Sequence, residues 1–97
     1  MNTILVLGAG MVAGPLIRYL QDRGLSLTVT SLDLEDAVKL TGDDPNSTAL
    51  KLDLSDETTL SRLIGEHDLV ISLVPYSFHP LVAYHCLEQM TNLVTAS

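Results

Sequence analysis

The stretch Ile4-Leu5-Val6-Leu7-Gly8-Ala9-Gly10-Met11-Val12-Ala13-Gly14-Pro15 constrains the fold more than any other. An unbroken apolar run stops at two glycines and gives way to apolar residues at helical spacing, Val12, Leu16, Ile17 and Leu20. A run of that kind is the mark of a strand buried on both faces, as in a parallel sheet. The strand must turn into a helix within a few residues. Gly8 suits the tight turn, Gly10 lets another group approach the backbone, and Ala13 takes the third small position, where helix and sheet pack closely. Helix starts carry unpaired N–H groups and the positive end of the helix dipole, which together seat a phosphate. The stretch therefore predicts a dinucleotide pyrophosphate against Gly8, Ala9, Gly10, Met11 and Val12. The plainer alternative, that Gly8 and Gly10 merely make a turn, is weighed against the rest of the chain.

That rest alternates. Thr3 to Leu7 is the first predicted strand, and a helix follows over about Met11 to Asp22, with Pro15 in its first turn and Gly24 stopping it. Leu25 to Ser31 is a second strand, in which Leu25, Leu27 and Val29 alternate with Ser26, Thr28 and Thr30, so one face is less deeply covered. Leu34 to Leu40 is a short helix before the turn-rich segment Thr41 to Ser47. Thr48 to Leu52 is a third strand, with a helix from Asp56 to Ile64 that Ser55 is expected to cap and Gly65 to close. Leu69 to Val74 is a second continuous apolar strand, ended by Pro75. A helix from Phe78 to Gln89, capped by Ser77, and a fifth strand from Asn92 to Ala96 complete the series. Strand and helix alternate throughout, and right-handed crossovers place five parallel strands in the order 3-2-1-4-5. The fold class is α/β, a Rossmann-type doubly wound parallel sheet in three αβα layers.

The 97 residues make one domain, residues 1–97, where a six-stranded dinucleotide fold needs about 150. The chain is thus expected to be a minimal version or the opening part of a longer protein. Net charge is −7, and the lack of a basic face argues against nucleic acid and against an acidic membrane surface. Ten of the acids fall between Ser31 and Val70, whereas Ile71 to Ser97 carries Glu88 alone. So little charge in that last third predicts contact with another domain or a second copy of the chain. Cys86 is the single cysteine, so no internal disulfide forms and a reducing compartment fits. With no signal or transit composition, the expected location is cytoplasmic, or the mitochondrial matrix if the chain belongs to a larger protein.

In this sheet order a ribose-binding acid is expected about 20 residues beyond the glycines, where Ser31, Leu32 and Asp33 stand. Asp33, Glu35 and Asp36 form an acidic cluster whose nearest base is Lys39. Like charge would repel a 2′-phosphate and accept ribose hydroxyls, which favours NAD over NADP. Alternatively, the three acids simply occupy the first turn of a helix. Asp53, at the end of the third strand, falls near adenine or is a turn residue. Leu73, Val74 and Pro75 would pass beneath the nicotinamide half. Tyr76, at the site edge, would touch substrate or lie over the loop as a lid. His67 reads as an exposed helix-end residue, and His79 and His85 as structural histidines. No metal-ligand spacing and no nucleophile pattern is present.

Three stretches carry a more specific likeness: Val6 to Pro15, Asp68-Leu69-Val70-Ile71-Ser72-Leu73-Val74-Pro75-Tyr76-Ser77-Phe78-His79-Pro80, and Asn92-Leu93-Val94-Thr95-Ala96-Ser97. They resemble the saccharopine dehydrogenase (saccharopine reductase) family over its N-terminal dinucleotide-binding part. Within it, the glutamate-forming type, which includes the dehydrogenase half of aminoadipic semialdehyde synthase, is nearest. The resemblance implies NAD(P)-dependent oxidation of the secondary amine of saccharopine to glutamate and aminoadipate semialdehyde, a step of lysine metabolism. It places cofactor contacts on Ala9, Gly10, Met11, Val12, Ser31, Leu32, Asp33, Asp53, Leu54, Leu73, Thr95 and Ala96, with substrate contacts beginning at Ala96 and Ser97. NADP-using members tend to carry Arg where this chain has Leu32, which agrees with NAD. The amino-acid substrate would be held by a second domain beyond Ser97, so no catalytic residue is assigned. A free-standing dinucleotide-sensing module without catalysis is the alternative from a different class.

Overall fold

A computed structural model describes residues 3–10 and 13–95. Strands and helices alternate as β1 (Thr3–Leu7), α1 (Ala13–Asp22), β2 (Ser26–Ser31), α2 (Leu34–Thr41), β3 (Ser47–Lys51), α3 (Glu57–Gly65), β4 (Leu69–Ser72), α4 (His79–Glu88) and β5 (Asn92–Thr95). A 3₁₀ turn over Tyr76–Phe78 leads into α4. The five strands form one parallel sheet in the order β3-β2-β1-β4-β5. The predicted topology is therefore the observed one.

Alternation along the two central strands divides the core. Leu5, Leu7 and Val70 pack with Leu60, Leu63 and Ile64 of α3 and Val82 and Cys86 of α4. Ile4, Val6 and Ile71, on the opposite face, pack with Ala13, Ile17 and Leu20 of α1, Ala37 of α2, and Leu27 and Val29 of β2. Successive strand side chains point to opposite faces, so the continuous apolar runs of β1 and β4 must be covered on both sides, and the three layers follow. On β2 the face opposite Leu27 and Val29 carries the threonines. Thr30 there is buried and donates its hydroxyl to the carbonyl of Val6 at 3.1 Å.

Several local expectations shift by a residue or two, each for a visible reason. Ser55 does not cap α3. Its N–H and hydroxyl both donate to Asp53 Oδ1, at 2.9 and 2.8 Å, and the cap passes to Asp56, whose carboxylate accepts the N–H of Thr59 at 3.3 Å and its hydroxyl at 2.6 Å. Nor does Ser77 cap α4. Pro75 starts the 3₁₀ turn instead, the α-helix begins at His79 without a side-chain cap, and Pro80 sits in its first turn, where a missing N–H costs nothing. Gly65 closes α3 as expected, as its last residue. A Cβ there would meet Gln89 Oε1 at 2.6 Å, and Gln89 in turn donates to Ser61 Oγ at 2.9 Å, tying α4 to α3. β4 ends at Ser72, before the expected Val74, although the Leu73 N–H still donates to Leu7 O at 2.8 Å.

His67 is not the exposed residue expected from its place after α3. It is half-buried, with Nδ1 2.6 Å from Leu63 O and Nε2 2.8 Å from Thr28 Oγ1. A carbonyl only accepts, so Nδ1 carries a proton, and Nε2 pairs with the threonine hydroxyl. His85 is structural, as expected: it is buried, and its Nε2 lies 2.8 Å from Glu57 Oε1, joining α4 to the start of α3.

Candidate functional site

The C-terminal ends of the strands open onto a cleft of ≈ 500 Å³, a size that suits small-molecule sites. It lies where the strand order reverses, between β1 and β4, the place where open parallel sheets bind ligands. Gly8, Ala9 and Gly10 line it from the end of β1, and Thr30, Ser31 and Leu32 from the end of β2. Leu52, Asp53 and Leu54 follow β3, while Leu73, Val74 and Pro75 follow β4, and Phe78 closes one side.

The first two glycines serve different needs. Gly8 has φ +97°, donates its N–H to Thr30 O at 3.0 Å, and is pressed against the end of β4. A Cβ there would lie 3.2 Å from both C and O of Leu73 and 3.3 Å from Val74 N. A Cβ on Gly10 would meet nothing within 4 Å. Packing does not demand glycine at position 10, and its absent side chain leaves the cleft mouth open, as an approaching pyrophosphate requires. Ala13, fully buried, provides the close contact between α1 and the sheet. The Ala13 N–H donates to Gly10 O at 3.0 Å, which fixes the turn into the helix. The start of α1 thus stands at the cleft, and the cradle fits a pyrophosphate.

Asp53 is held by the N–H and hydroxyl of Ser55, and these two hydrogen bonds, the backbone one first, keep its carboxyl below the ordinary aspartate range. At neutral pH it only accepts, so it suits an amino group at the adenine end. Asp33 is placed differently from the rest of its turn. Its Oδ1 accepts the Glu35 N–H at 2.9 Å as the N-cap of α2, and the residue lines an adjoining depression rather than the cleft. Ser31 Oγ accepts the Asp33 N–H at 3.3 Å, and Leu32 is 66% exposed.

The residues named from sequence therefore divide. Gly8, Ala9, Gly10, Ser31, Leu32, Asp53, Leu54 and Leu73 come together in the cleft. Thr95 ends β5 beside Ser72 and is not among the cleft residues. Tyr76 is 81% exposed and outside the lining, and its ring centroid lies 5.6 Å from that of His79. Met11, Val12, Ala96 and Ser97 lie outside the described residues. Phe78 was missed as a lining residue, because the 3₁₀ turn that brings it back to the cleft was read as the start of the helix. Thr30 and Leu52 were passed over because each reads as an ordinary strand residue. No group of His, Cys, Asp or Glu among the described residues is arranged to hold a metal ion.

Comparison with known proteins agrees with this geometry. The chain is 40% identical over 96 residues to saccharopine dehydrogenase [NADP(+), L-glutamate-forming] of Pyricularia oryzae, covering 99% of this chain and 21% of that protein. It is 41% identical over 96 residues to the mitochondrial alpha-aminoadipic semialdehyde synthase of Bos taurus, covering 97% of this chain and 10% of that protein. The apo structure of saccharopine dehydrogenase (L-Glu forming) from Saccharomyces cerevisiae superimposes with a TM-score of 0.91 at 34% identity, over 100% of this chain and 22% of the other. The chain thus spans about a fifth of the fungal relatives' length. The family model for the saccharopine dehydrogenase NADP binding domain matches residues 4–97, and the chain belongs to that family.

Proposed function

We propose that this chain is the dinucleotide-binding part of an oxidoreductase acting on the CH–NH bond of saccharopine, yielding glutamate and aminoadipate semialdehyde in lysine metabolism, with NADP as the cofactor. The observation that carries the reading is the cleft at the strand-order reversal, whose glycine turn is shaped by Gly8 and left open at Gly10. Membership of the family supports the reaction.

When bound, the cofactor accepts the hydride from the substrate carbon. This chain's residues hold and orient it. The backbone of Gly8 to Gly10 and the start of α1 take the pyrophosphate, and likeness to the family adds Met11 and Val12 as contacts. Ser31 and Leu32 border the adenosine ribose, and Asp53 and Leu54 the adenine. Leu73 to Pro75 form an apolar shelf for the nicotinamide half, and likeness to the family adds Thr95 and Ala96 as contacts there. Tyr76, exposed at the start of the 3₁₀ turn, and Ala96 and Ser97 begin the substrate side, which a second domain completes. The exposed Tyr84, Leu87, Met90 and Val94 support protein contact through the charge-poor last third. A reducing compartment, the cytosol or the mitochondrial matrix, suits the buried thiol of Cys86.

The choice of NADP departs from the charge argument made from sequence. Relatives are named for NADP(+), and Asp33 spends its Oδ1 on the start of α2 rather than on the cleft. Calorimetric titration with NADPH and NADH tests the reading. Binding of NADPH is expected, together with saccharopine-dependent reduction of NADP by the same chain joined to a second domain of the family. Failure of both nucleotides to bind at millimolar concentration overturns it.

A further inference from the structure

The chain has two lysines, Lys39 on α2 and Lys51 at the end of β3, and both line one depression beside the cleft. Leu32 is a wall of both spaces, so the depression continues the cleft past the end of β2. Sheet geometry explains the convergence. Leu52 belongs to the core beneath α3 and α4, and Leu50 packs against it, so Lys51 between them points to the α2 side. Lys51 is also the register partner of Ser31. It stands one inter-strand step, about 4.8 Å, outward from the residue at which the ribose is expected. Both lysines are exposed, and neither forms a salt bridge among the described residues.

We infer that Lys51 and Lys39 together seat the 2′-phosphate of the adenosine ribose and so set the preference for NADP over NAD, a role this chain fills without an arginine at position 32. The inference rests on the dinucleotide reading above. A phosphate monoester carries a charge of about −1.5 to −2 at neutral pH, and in a chain of net charge −7 it needs local cations. The acids of the depression are Asp33, whose Oδ1 is turned to the Glu35 N–H, and Glu35, so two lysines face two carboxylates and must hold the phosphate by direct contact. Leu32, Leu34 and Val38 line the same depression and give it apolar surface.

The test is titration of the 97-residue chain and its Lys51→Gln, Lys39→Gln and doubly substituted variants with NADPH, NADH, 2′,5′-ADP and 5′-AMP. The parent is expected to bind NADPH more tightly than NADH. Each single substitution should weaken NADPH and 2′,5′-ADP by about tenfold, as for loss of a charge-assisted hydrogen bond, and leave NADH and 5′-AMP unchanged. Lys51→Arg should retain the preference. The inference is overturned if the doubly substituted chain still prefers NADPH, if the lysine variants lose both nucleotides equally, or if the parent binds NADH as tightly. Absence of binding by either nucleotide refutes the dinucleotide reading and this inference with it, whereas binding without a lysine-dependent preference refutes the inference alone.

Discussion

The two ends of the cleft are built on different principles. At the β1–α1 end the site is backbone: a glycine in the left-handed region, an open position, and the start of a helix, all within six consecutive residues from Gly8 to Ala13. At the β2–β3 end it is side chain: Ser31 and Leu32 stand at the end of β2 in the cleft, and Lys39 and Lys51, from a helix and a strand end, line the depression beside it. The first end is constrained at Gly8, where positive φ and the Leu73 backbone exclude a side chain. The second is adjustable, since exposed lysines can be replaced without disturbing the core.

The contrast can be broken at three points. The largest effect is expected at Gly8→Ala, because φ +97° and contacts of 3.2 Å to the Leu73 backbone penalise any Cβ. A loss of about 1–3 kcal/mol should lower the melting temperature by at least about 4 °C, and dinucleotide binding should fall with it; a melting curve matching the parent's would remove the steric basis of the turn. Next comes Gly10→Val, which meets no atom within 4 Å as far as Cβ. Its melting temperature should stay close to the parent's while NADPH affinity drops at least about tenfold, so unchanged affinity would show that the pyrophosphate lies elsewhere. The smallest effect is expected at Asp33. Asp33→Ala should cost about 1 kcal/mol through loss of the α2 cap, and Asp33→Asn, which keeps an acceptor, should restore stability. If Asp33→Asn instead weakens NADH more than NADPH, the carboxylate does contact the ribose and the charge argument for NAD regains force.

What could be read from sequence follows the same division. Sheet order, three layers and the glycine cradle were legible because each depends on a local pattern: continuous apolar runs for β1 and β4, helical spacing for α1, glycine where φ turns positive. The strand-end residues Ser31, Leu32, Asp53, Leu54 and Leu73 were legible because strand order dictates which ends share an edge. Caps were less so. Ser55 and Asp56 are both good N-cap residues, and the choice between them turned on Asp53 recruiting Ser55 into a turn of its own. His67 was misread because Thr28, its partner, is 39 residues away in sequence. Lys51 does not enter the charge argument, which names Lys39 alone, for the same reason: Ser31 and Lys51 become neighbours only when β2 and β3 pair in register.

By itself, then, the sequence determined a parallel five-stranded sheet with a pyrophosphate cradle at its central strand, since steric and hydrophobic patterns act over a few residues. Tertiary structure alone decided where the charges lie. It turned Asp33 into a helix cap and brought Lys39 and Lys51 to one depression, because electrostatics depends on distance in space and strand pairing sets that distance.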